Sequence, residues 1–364
     1  MSQLAPPVQS PDTARAAPSE RAAYFDNAKL LLVVLVVCGH FWEPLIGEPE
    51  QRVAKALYLL VYAFHMPAFI LVSGFFSRGF TAQPRQIRRL ASGVLIPFLV
   101  WGVLLALFTA EVKDTPIAIE PLTPVWVTWF LIALFLWRLS VPFWRMLRAP
   151  VTVATLVFLA SGAFSFGAQL SLTRVLQFLP FFVLGLTVEP RHLAWLRETR
   201  WVKGAAVAVF AVAGAAAYKI APDMKALWLY RSAGAPDLHV GYARWAAEAG
   251  AVCAAGLVLT AAFLALVPTR RTWFTALGAG TMGAFLLHAF IRQGAVAAGV
   301  FDHPFVQGVP GLAVLTVVSV ALAVLLCTRP VRTLLRPLVE PRLDWLFRRE
   351  AAPGRDEALR HREG

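Results

Sequence analysis

The sequence predicts an all-α, polytopic integral membrane protein with about ten transmembrane helices. Three observations predict it. Hydrophobic residues make up 58% of the 364 residues and charged residues only 15%, where soluble domains carry about 25% charge. The mean hydropathy is +0.64. Apolar runs of about twenty residues recur along the whole length, each able to cross a hydrocarbon core roughly 30 Å thick.

The elements follow in order. Residues 1–20 are rich in Pro, Ala and Ser and lack the apolar stretch of a signal peptide, so they are expected to form a disordered cytoplasmic tail. Apolar runs then fall near 30–46, 54–76, 91–110, 126–141, 150–168, 173–188, 203–220, 244–267, 274–296 and 309–328. The second contains Pro67, which removes a backbone donor and favours a kink. The fourth is short. The sixth is flanked by Arg174 and interrupted by Pro180, which suits a tilted, kinked or partial span. A transmembrane domain is therefore expected over 21–328, followed by a basic cytoplasmic tail over 329–364.

The net charge of +13 does not point to nucleic acid. Arginine clusters in alternate loops, as the positive-inside bias requires. Arg78, Arg85, Arg88 and Arg89 follow the second run, Arg138, Arg145 and Arg148 the fourth, Arg191, Arg197 and Arg200 the sixth, and Arg270 and Arg271 the eighth. These loops fall on one side if both termini are cytoplasmic, in a plasma or inner membrane. The loops 111–121 and 221–243 are more acidic or mixed. Cys38, Cys253 and Cys327 each lie inside an apolar run without metal-type spacing, and are read as small buried side chains. No metal site and no permanently bound cofactor is expected.

Ionisable residues inside a membrane helix are costly, so each is a functional-site hypothesis. His40 stands in the first run and Lys29 at its mouth, eleven positions upstream. Eleven residues make three turns plus roughly 20°, so the two share one stripe about 16 Å apart along the axis. Glu43 lies on roughly the same face as His40. A carboxylate beside an imidazole fixes its tautomer and suits it to general-base work on a hydroxyl. The competing reading has His40 bonding a neighbouring helix and Glu43 among the external headgroups. Arg85 and Arg88 could bind the phosphates of a cytosolic ligand or simply anchor the topology. His65 (near Pro67), His288 in the ninth run and Trp129 in TWFLIALF are candidate pocket-lining residues, although Trp129 also suits an interfacial aromatic belt.

The stretch YFDNAKLLLVVLVVCGHFWEPL resembles the first-helix signature of the membrane-bound acyltransferase-3 family, a basic residue and a histidine separated by ten residues, here Lys29 and His40. The chain looks most like the sugar O-acetyltransferase branch, the fucose 4-O-acetylase-like proteins. FHMPAFILVSGFFSR, the Arg85-x-x-Arg88 motif, LIPFLVW, TWFLIALF, FLPFFVLGL and GAFLLHAF resemble its later landmarks in order, over about residues 21–328. Many members have arginine where this chain has Lys29, which binds an anion without the bidentate fork. The resemblance implies transfer of an acyl group, most readily acetyl from acetyl-CoA, to a carbohydrate or other hydroxyl. It implies His40 as catalytic base, and Lys29, Arg85 and Arg88 near the acyl-CoA. Glu43 as the group orienting His40 is a geometric proposal. The expected partners are acyl-CoA, a hydroxyl acceptor and the bilayer. The alternatives are a secondary transporter with a His/Lys/Glu proton relay, against which no pair of matching broken helices is visible, and a glycan-export component without chemistry.

Overall fold

A computed structural model describes residues 20–47, 51–341 and 345–347. The residues 1–19 of the expected N-terminal tail, and most of the chain after 341, lie outside the described residues. Among the described residues every regular element is helical. The helices are α1 (Glu20–Trp42), α2 (Arg52–Ser77), α3 (Pro84–Leu90), α4 (Ile96–Lys113), α5 (Trp129–Met146), α6 (Pro150–Ser161), α7 (Leu172–Gln177), α8 (Leu179–Thr187) and α9 (Pro190–Glu198). They continue with α10 (Arg200–Ile220), α11 (Leu227–Tyr230), α12 (Tyr242–Leu266), α13 (Thr281–Ala297), α14 (Pro304–Gln307), α15 (Val309–Leu326) and α16 (Arg329–Val339).

All ten apolar runs contain helix. Among the described residues, seven helices are long and apolar enough to cross a membrane: Ala22–Leu45, Arg52–Ser77, Pro84–Lys113, Trp126–Met146, Arg200–Ile220, Tyr242–Leu266 and Val309–Leu326. The sixth run is the bent pair α7 and α8, which turn by 56° at Phe178, and counting it as one span gives up to eight. The difference from ten lies in two short helices. α6 has 12 residues and α13 has 17, because the runs that contain them also supply the turn at 162–168 and a 3₁₀ segment, Thr275–Gly280.

The perimeter suits hydrocarbon. Val103 and Leu107 on α4, Val207 and Val212 on α10 and Val314, Val317 and Val318 on α15 are all exposed. In water such a surface would drive aggregation. The protein is an all-α membrane protein.

Between helices in a bilayer the apolar effect gives little drive, so close approach of small residues matters. α2 and α8 meet at Gly74 and Gly185, where a β-carbon on Gly74 would collide with the Phe182 carbonyl and one on Gly185 with the Leu71 carbonyl. Both obstacles are backbone and cannot rotate away. Gly74→Val should therefore force the helices apart and cost about 1–3 kcal/mol. Thermal unfolding in detergent checks this, with a lowered midpoint expected and an unchanged one contradicting the tight crossing.

α1 is fixed by a fully used amide. Asn27, completely buried, donates to the carbonyls of Pro268 (2.9 Å) and Arg270 (3.1 Å) and accepts from the hydroxyls of Thr275 (2.7 Å) and Thr272 (3.3 Å). All four hydrogen-bonding capacities of the side chain are met. This holds the 268–275 segment against α1 beside Lys29.

Candidate active site

His40 lies in the last turn of α1. It thus stands at the end of α1 opposite Lys29, and its enclosure comes from surrounding elements. It opens onto a cavity of about 260 Å³ whose walls include Glu43, Tyr62, His65, Trp126, Trp129, Arg174, Tyr230 and Phe285. With His40 of α1, the lining comes from the turn after α1, α2, the 124–128 segment, the start of α5, α7, α11 and α13, so the cavity exists only in the assembled bundle.

Glu43 is where the helical spacing puts it. Its Oε2 lies 3.4 Å from His40 Nδ1, while the Tyr62 hydroxyl lies 3.1 Å from the same nitrogen. With an ionised Glu43 as acceptor, Nδ1 carries the proton and Nε2 keeps the lone pair, the tautomer a base requires. Glu43 has a second partner. Arg292 Nη2 lies 3.4 Å from the same carboxylate oxygen, and Arg292 Nε donates to the His40 carbonyl at 3.4 Å. These contacts are long, but His40, Glu43 and Arg292 keep only 14%, 26% and 15% side-chain exposure, which limits screening by water.

Aromatic rings set the imidazole plane. Trp126 meets His40 edge-on at 4.6 Å and also lies under the Arg292 guanidinium at 5.0 Å. His288 stacks against His40 at 5.3 Å. It does not line the cavity as expected but backs its wall. Its Nδ1 donates to the Ala284 carbonyl at 3.1 Å. Its buried Nε2 has no hydrogen-bond partner among the described residues. His65 does line the cavity, with Nδ1 donating to the Val61 carbonyl at 2.9 Å. Trp129 is a wall residue. It stacks on Phe178 at 5.5 Å, with the Arg174 guanidinium 5.3 Å from its ring centre. Arg174 Nε donates to the Tyr230 carbonyl, and among the described residues no carboxylate pairs with it.

Lys29 lines a second cavity of about 320 Å³, bounded mainly by apolar side chains such as Phe69, Phe130 and Leu134, with Arg138 as its other cation. Lys29 Nζ is 2.7 Å from Asp26 Oδ1, and Arg138 Nε donates to the Ser77 hydroxyl at 3.1 Å. Met66 and Phe285 line both this cavity and the His40 cavity. The stripe on α1 thus becomes two chambers meeting at two side chains. Arg85 is exposed and lines neither chamber. Arg88 also lies outside both linings, its guanidinium 5.1 Å from the centre of the Phe347 ring. No cluster of His, Cys, Asp and Glu able to hold a metal occurs among the described residues.

Sequence reasoning missed Tyr62, Trp126, Arg138, Arg174, Tyr230 and Arg292 as site residues. Arg292 had a readable signal, since it is a charge inside the ninth apolar run, one turn beyond His288. The tyrosines had none, because neutral hydroxyls in apolar runs are common.

Comparison with known proteins bears on this arrangement. The acyltransferase domain (acyltransferase 3) family model matches residues 22–328. Among curated proteins, the chain is similar to nodulation protein NolL of Sinorhizobium fredii, at 29% identity over 213 residues, covering 53% of this chain and 56% of that one. It is also similar to nodulation protein NolL of Mesorhizobium japonicum, at 26% identity over 198 residues, covering 50% and 52%. The chain thus spans about half the length of the curated relatives it matches. No solved structure matches.

Proposed function

This chain belongs to the acyltransferase family, and from that premise we propose that it moves an acyl group, acetyl in the simplest case, from acyl-CoA to a hydroxyl of a carbohydrate or similar acceptor. The observation that carries the reading is the His40–Glu43 pair on the wall of a chamber that meets a second, cation-rimmed chamber at Met66 and Phe285. The donor enters past Lys29 and Arg138, and its thioester reaches the His40 chamber. Arg85 and Arg88 attract its phosphates at the surface.

In the chemical step the acceptor oxygen attacks the thioester carbonyl as His40 Nε2 takes its proton. The tetrahedral adduct collapses, the C–S bond breaks, and the imidazolium returns the proton to the departing thiolate, leaving ester and free CoA thiol. Glu43 stabilises the imidazolium while it exists. Arg174, on the same wall and without a carboxylate partner among the described residues, offers positive charge to the oxyanion. The arginine distribution supports a plasma or inner membrane location with both termini in the cytoplasm, which puts Lys29 on the side where acyl-CoA is made.

Purified protein in detergent tests the reading. Incubation with labelled acetyl-CoA should release CoA thiol and place label on a carbohydrate acceptor or, without one, on water. A protein that leaves acetyl-CoA intact under both conditions is not an acyl-CoA-dependent transferase.

A further inference from the structure

We propose that α16 completes the donor site, with Arg332 and Arg336 receiving the phosphates at the nucleotide end of the acyl-CoA. This extends the acyl-CoA reading above and rests on it.

The observation is a third cavity, of about 440 Å³, between α16 and the start of α13. Arg332, Arg336 and Glu340 stand on one side of it, and Ala279, Gly280 and Gly283 on the other. Met282 lines this cavity and also the Lys29 chamber. Shared lining residues therefore link three spaces in succession. The first is rimmed by arginine, the second is walled mainly by apolar side chains with Lys29 and Arg138, and the third holds His40.

That order matches the chemistry of an acyl-CoA. Its phosphates are clustered at one end, a narrow uncharged arm follows, and the thioester sits at the other end. Arg332 and Arg336 are four residues apart and share a helix face, so two guanidinium forks present themselves to one anion. The helix is held in place. Leu335 is buried and packs on Gly283, and the Trp101 indole donates to the Leu338 carbonyl at 3.3 Å. Arg336 does have a carboxylate nearby, Glu340 at 3.8 Å, but both side chains are about two-thirds exposed or more, and such a pair is weak. Phosphates carrying more charge displace it. Arginines beyond a last span also arise as topology anchors. An anchor, however, needs no cavity beneath it and would not distinguish one thioester from another. α16 lies past residue 328, where the family match ends, so this part of the donor site was outside every motif the sequence offered.

The test compares acetyl-CoA with S-acetylpantetheine, which keeps the thioester and the arm but lacks the nucleotide. Wild-type protein should show a lower KM for acetyl-CoA. In the Arg332→Gln/Arg336→Gln double variant the KM for acetyl-CoA should rise about ten- to a hundredfold, with kcat little changed and the KM for S-acetylpantetheine unmoved. Arg332→Lys/Arg336→Lys should recover part of the loss, since lysine keeps the charge and loses the fork. An unchanged KM for acetyl-CoA in the glutamine variant overturns the proposal. So does an equal loss with both donors, which marks a structural role. Wild-type protein that uses the two donors with equal KM overturns it without any substitution. Wild-type protein that turns over neither donor overturns the acyl-CoA reading itself, and this one with it.

Discussion

His40→Ala protein is expected to bind acetyl-CoA normally and to transfer almost nothing. Loss of a general base costs about 10²–10⁴ in rate, and His40 is the one imidazole in the chamber that has a carboxylate on its Nδ1. His65, the other imidazole on the chamber wall, has only the Val61 carbonyl at that position, so it is not set up to replace it. Binding should survive, because in this account the donor's arm is held in the Lys29 chamber and its phosphates beyond that at Arg332 and Arg336, all on the far side of Met66 and Phe285. Acetyl-CoA titration and turnover on the same preparation separate the two effects. Near wild-type turnover in folded His40→Ala protein rules out the mechanism and returns the transporter reading to consideration.

The second large effect concerns the charges behind the imidazole. Removing the orienting carboxylate of a tight catalytic triad costs about 10⁴. Here the Glu43 contact is longer, at 3.4 Å, and Tyr62 holds the same nitrogen at 3.1 Å. Glu43→Gln should therefore cost less, about ten- to a hundredfold in kcat. Arg292→Gln should act in the same direction, because Arg292 touches both the Glu43 carboxylate and the His40 carbonyl. The His40→Ala/Glu43→Gln double variant should be no slower than His40→Ala alone, since groups acting as one unit are not additive. Steady-state kinetics on the four proteins of that cycle provide the check. Independent, multiplying losses would separate Glu43 from the imidazole and make it a residue of the chamber wall alone.

The sequence carried the site as far as one helix could. Lys29, His40 and Glu43 lie on one continuous run, so the 3.6-residue period alone placed them, and the structure keeps all three on the walls of the two chambers. Residues contributed by other elements depend on packing that one sequence does not display. Tyr62 reaches His40 across the α1–α2 contact, Trp126 arrives from the short segment before α5, and Tyr230 from the four-residue helix α11. The span count shows the same limit. Hydropathy measures how apolar a run is and does not see where the backbone turns. The kink flagged by Pro180 was legible and is there, whereas the 3₁₀ segment that shortens α13 sits in TALGAG, which reads as apolar. Arg85 and Arg88 were legible as a motif, yet they stand outside the linings of both chambers. A charge cluster in sequence gives no distance to a cavity.

The central claim is that the thioester comes to His40 by way of the Lys29 chamber. A structure of the protein with a non-hydrolysable acetyl-CoA analogue, its thioester sulfur replaced by carbon, tests it most directly. The account predicts the two-carbon end in the chamber lined by His40, Trp126 and Arg174, with the arm passing between Met66 and Phe285. An analogue bound with its acyl end outside that chamber, and Met66 and Phe285 closed between it and His40, would contradict it.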